Sequence, residues 1–74
     1  MAYDDVILKL AVERGENDLL NGSKSGLQGT LQWASTQGKD FYGDLTSELK
    51  KFLENQRSCQ FSIIQLKDIV DQYR

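Results

Sequence analysis

No proline occurs anywhere in the 74 residues of this chain. Proline breaks helices outright, because its ring fixes φ and removes a backbone donor. A chain without it is punctuated only by its glycines. Gly15, Gly22, Gly26 and Gly29 all fall in one short stretch. The expectation is uninterrupted helices, with the junctions concentrated there.

The hydrophobic periodicity agrees. Asp40 is a candidate N-cap, and Tyr42, Leu45, Leu49, Phe52 and Leu53 then recur at helical spacing on one face. The opposite face carries Asp44, Ser47, Glu48, Lys51, Glu54 and Asn55. A second helix is announced by Ser62-Ile63-Ile64-Gln65, a capping box in which Ser and Gln side chains satisfy two orphan backbone amides. Phe61 and Leu66 stand at its hydrophobic-staple positions, and Ile63, Leu66, Ile69, Val70 and Tyr73 continue the stripe. In the middle, Ser25-Gly26-Leu27-Gln28 also fits a capping box. Leu27, Leu31 and Ala34 follow on one face, with Gly38 as a C-terminal stop.

The N-terminal segment reads two ways. Val6, Leu8, Leu10 and Val12 alternate as in a strand, while Tyr3, Val6, Ile7, Leu10 and Ala11 trace a helical stripe. Helix is favoured: Asp4 and Asp5 complement the positive helix end, Arg14 the negative end, and Gly15 is a natural stop. No other segment offers a partner strand of similar β-branched content. Asp18 to Gly22 add at most another turn. The reading is an all-α chain, one small domain over 1–74, built as a compact bundle of about four short helices at roughly 3–14, 26–37, 41–56 and 63–73.

Composition then narrows function. Hydrophobic residues make up 39% and charged residues 27%, which is ordinary for a folded domain and too apolar for disorder. Nine Lys and Arg stand against eleven Asp and Glu, giving a formal charge of −2. The pI near 4.9 disfavours general nucleic-acid or anionic-membrane binding. No apolar run exceeds three residues, so no membrane span is expected. The acidic start, Met1 to Asp5, lacks the basic region of a secretory leader, and with one cysteine the expected location is the reducing cytoplasm.

Catalysis finds little material. The chain has no histidine, so its single cysteine, Cys59, lacks the usual activating base and reads as a small apolar residue. Asp4-Asp5 and Asp68 with Asp71 read as helix-end complement and solvated face, and no calcium loop is present. Gly22-Ser23-Lys24-Ser25-Gly26 lacks the spacing of a phosphate loop. No enzyme activity, metal, cofactor or small-molecule substrate is expected.

Binding to another protein, or to a second copy, is the class that remains. A domain this short buries only about 60–65% of its unfolded surface and has no covalent staple to compensate. Seven aromatic residues exceed what so small a core readily hides. Trp33, Phe41 and Tyr42 flank the Gly38 turn and would form one exposed anchor if that turn projects; otherwise they close the end of the bundle. The expected role is regulator, inhibitor, adaptor or assembly subunit. The alternative is a DNA-binding regulator using the last two helices as a helix-turn-helix, with Arg57, Gln65, Lys67 and Arg74 at the DNA. Asp68 and Asp71 on the same helix oppose that reading by repelling phosphate.

Overall fold

The computed structural model describes residues 3–56 and 59–74. Among these residues four helices follow in order: α1 (Asp5–Asn21), α2 (Lys24–Ser35), α3 (Lys39–Asn55) and α4 (Ile63–Gln72). Among the described residues there is no strand. α1 packs on α2 and α3, while α4 lies against α3 and α2. The Cα radius of gyration is 11.2 Å, matching the roughly 11 Å expected of a folded chain this long.

α1 is longer than its sequence suggests. It begins at Asp4, whose carboxylate accepts from the Val6 amide at 2.8 Å, and it runs through Gly15 without a break. The reason is close approach. A Cβ at position 15 would lie 2.7 Å from Leu49 Cδ2 and 2.9 Å from Leu49 Cδ1, so glycine is what lets α3 seat against α1. The buried stripe also differs from the expected one. Ala11, Gly15 and Leu19 face the core with Leu8 and Val12 beside them, whereas Val6, Ile7 and Leu10 face outward. The buried choice stays apolar along the whole helix. The Val6–Leu10 side runs out into Arg14 and Asn17.

Gly22, at φ 70°, ends α1 in the left-handed conformation that glycine adopts without steric cost. Its amide and that of Ser23 both return to the Asp18 carbonyl. α2 therefore starts two residues earlier than the Ser25 capping box implies. Ser23 is the cap, and its hydroxyl accepts from the Gly26 amide at 3.2 Å. At the next junction Gly38 belongs to α3, not α2: α2 ends at Ser35, and Gly38, at φ 112°, precedes Lys39 as the N-cap. Asp40 accordingly sits inside the first turn, where its charge complements the helix dipole, instead of capping. The Ser62–Gln65 capping box forms as the sequence predicts, with bonds of 3.2 and 2.8 Å.

The core gathers Leu19, Leu27, Leu31, Phe41, Leu45, Leu49 and Leu66, with the smaller Ala11 and Ala34 between them. Two long-range bonds tie helix ends to it. The Tyr42 hydroxyl donates to the Val70 carbonyl at 2.5 Å, and the Gln60 amide donates to the Leu19 carbonyl at 3.2 Å. Both carbonyls belong to final helical turns, where the regular i+4 amide no longer fills them. Among the described residues no buried side-chain polar atom lacks a partner.

Candidate functional site

α1 carries more apolar surface than the core uses. Val6 is 65% exposed, Ile7 41% and Leu10 60%. These residues share one face, since positions three and four apart are neighbours on a helix. Trp33 of α2, 42% exposed, stands opposite them. Ile7, Leu10 and Arg14 form one wall of a groove, Gly29 and Trp33 the other, and Ala11 lies at its base. Its volume is about 460 Å³. Gly29 keeps the groove open, because a Cβ there would meet nothing within 4 Å.

Trp33 is held in place from behind. Its ring meets Phe41 edge-on, with centroids 5.5 Å apart and planes at 87°. Tyr3 meets Phe41 the same way from the other side, at 5.3 Å and 86°, and its hydroxyl bonds the Asp44 carboxylate. Such edge-to-face pairs are preferred because the positive rim of one ring meets the negative face of the other. Trp33 thus offers a large apolar contact without a freely rotating ring.

The expected aromatic trio is therefore divided. Phe41 and Tyr42 are buried, at 1% and 6% exposure, and close the end of the bundle; the Gly38 turn does not project them. The cause is register: Phe41, Tyr42, Leu45 and Leu49 all lie on the buried side of α3. Trp33 alone of the three reaches the surface. The spacing of Val6, Ile7 and Leu10 predicts a helical stripe, and which side of α1 is buried follows only once the helix is traced beyond Gly15.

Of the residues of the DNA-binding alternative, Lys67 and Arg74 line one cleft with Lys50, while Gln65 lines another. Arg57 lies outside the described residues. The Gln65 side chain accepts from the Ser62 amide and is committed to the cap. Arg74 lies 3.8 Å from Asp71, and Lys67 is exposed beside Asp68.

Other features supply little chemistry. A cleft of about 490 Å³ lies between Gly38, Lys39, Gly43 and Tyr73. Burial pushes the Cys59 thiol above its ordinary value, which lowers its thiolate fraction and its reactivity. Among the described residues no three His, Cys, Asp or Glu side chains converge as a metal site. No described helix is long and apolar enough to cross a membrane. No family model, curated protein or solved structure matches the chain.

Proposed function

We propose that this chain is a non-catalytic protein-binding domain and that the groove between α1 and α2 is its docking surface. One observation carries the reading: Ile7, Leu10 and Trp33 line one exposed apolar groove, with exposed Val6 one helical turn from Leu10, on helices that already have a core behind them. Singly exposed apolar residues are normal, but a patch rimmed by polar groups marks an interaction site. The geometry suits a helix laid into a groove, with Trp33 as anchor and Arg14, Glu13 and Gln32 as polar rim. A regulator, inhibitor, adaptor or assembly subunit would act in this way.

The test uses the intact chain, tethered sparsely so that copies do not meet, to select from a displayed library of amphipathic helical peptides. Selected peptides should shift the emission of Trp33, the single tryptophan, to shorter wavelength as its surface is covered. Leu10→Glu should weaken binding at least tenfold while leaving the far-UV circular dichroism unchanged. Selection that ignores Leu10→Glu, or retardation of duplex DNA at moderate salt, would overturn the reading.

A further inference from the structure

We propose that the seam between α3 and α4 is a second docking surface, and that it takes an extended acidic segment of another protein, its carboxylates interleaved with apolar residues. The seam shares no lining residue with the α1–α2 groove. Three observations carry the proposal: the line of cations, the apolar floor beneath it, and the one carboxylate that interrupts it.

Charge singles out this side of the molecule. The chain is acidic overall, yet from Leu49 onward five Lys and Arg stand against three Asp and Glu, whereas before it four stand against eight. The fold gathers the cations further. Lys39 and Lys50 lie eleven positions apart on α3, close to three full turns, so they share one face and stand roughly 16 Å apart along the axis. Lys67 on α4 and Arg74 just past its end form the opposite bank. The cleft of about 330 Å³ at Lys50 and Lys67 meets the cleft at Lys39, and Thr46 and Arg74 line both. All four cations are exposed, and among the described residues the three lysines have no carboxylate within 4 Å.

Shape then selects the class of ligand. Tyr42, Leu66 and Val70, each no more than 6% exposed, supply an apolar floor between the charged banks. The cations are strung along the seam instead of converging on one point, as a lone phosphate would require. An extended chain rises about 3.3 Å per residue, so the seam holds about five residues, with alternate side chains on opposite sides. Acidic side chains would meet the banks and apolar ones the floor, and the matching of charge would fix the register. Asp71 decides between a peptide and a nucleic acid. Its carboxylate lines the same cleft, 3.8 Å from Arg74. Every nucleotide carries a phosphate, so a strand laid along the seam would press one against Asp71, and Glu54, one turn beyond Lys50, would oppose the next. A peptide bears carboxylates only at chosen positions and sets an apolar residue beside Asp71.

The probe is the blocked pentapeptide Glu-Leu-Glu-Leu-Glu, titrated into the intact isotope-labelled chain and followed by amide chemical shifts. Shifts should cluster around Lys39 to Lys50 and Lys67 to Arg74, and should fade as salt is raised. Lys50→Gln and Lys67→Gln should each raise the Kd about threefold with helicity unchanged, and Asp71→Asn should lower it by about the same factor. Leu10→Glu, in the other groove, should leave it unaltered. The proposal fails if millimolar peptide moves no seam amide, if the same peptide with Gln in place of Glu binds equally well, or if Asp71→Asn does not tighten binding. Inorganic phosphate or an oligothymidylate that binds the seam as tightly as the peptide also overturns it, because the site would then recognise phosphate. Shifts confined to α1 and α2 and lost in Leu10→Glu would leave the protein-binding groove standing and remove the seam alone.

Discussion

At the scale of single residues, the fold turns on a few contacts with unequal visibility. Tyr42 illustrates the hidden kind. Its ring sits in the core, and its hydroxyl satisfies the Val70 carbonyl at the end of α4. Tyr42→Phe should destabilise the chain by about 1 kcal/mol in urea unfolding, the usual net loss for a buried hydrogen bond whose acceptor keeps another donor. Here that donor is the Tyr73 amide. Nothing in the spacing of Tyr42 separates this role from an exposed contact, because an aromatic at a helix edge serves either. The Ser62–Gln65 cap is the legible kind, since both partners lie within one turn and need no tertiary information. Glu16 is a third case. Partial burial first, then the carboxylates of Glu13 and Glu48, raise its pKa above the ordinary glutamate value. The folded state thus binds that proton more tightly than the unfolded state, so Glu16 opposes folding once pH rises above its range. Glu16→Gln should raise Tm at neutral pH, and the gain should vanish below the unperturbed glutamate pKa. Thermal melts of both proteins across pH check the sign.

At the scale of elements, helix identity was readable and helix faces were only partly so. The stripes of α3 and α4 are narrow and point one way, so Leu45, Leu49, Leu66 and Ile69 are core on sequence grounds and in the structure. α1 is apolar on two sides, and local periodicity has no means of choosing between them. Glycine compounds the difficulty, because the same residue signals a stop and a close approach. Gly15 is the second kind, and substitution separates it from glycines in open space. Gly15→Ala gains about 1 kcal/mol of helix propensity but drives a methyl into Leu49, an overpacking that costs about 1–3 kcal/mol. The expected net result is a loss of roughly 1 kcal/mol. Gly29→Ala and Gly43→Ala meet nothing within 4 Å and should each stabilise by about 0.5–1 kcal/mol. They should then part company. The methyl at 29 intrudes on the groove and should weaken docking, while the one at 43, on α3, should leave docking unchanged. Denaturation midpoints and binding measurements on the same three variants check all of this.

At the scale of the whole molecule, stability and docking are coupled by size. A chain of this length has a total stability of about 4–11 kcal/mol, at roughly 0.05–0.15 kcal/mol per residue. Leu45 is fully buried at the meeting of the helices, and Leu45→Ala should cost about 3 kcal/mol. Between about a quarter and three quarters of the margin then disappears, and any stabilisation from a partner that binds only the folded chain becomes visible in the melting temperature. With a groove-binding helical peptide as that partner, the Tm of Leu45→Ala should rise with peptide concentration. Adding Leu10→Glu should abolish the rise, yet change the Tm of the peptide-free protein little, because Leu10 lies outside the core and surface substitutions stay within about 0.5 kcal/mol. A concentration-dependent Tm that survives Leu10→Glu would place the contact on another face. Calorimetry over a hundredfold range of peptide concentration distinguishes these outcomes, since a ligand that binds only the folded chain raises Tm with its own concentration.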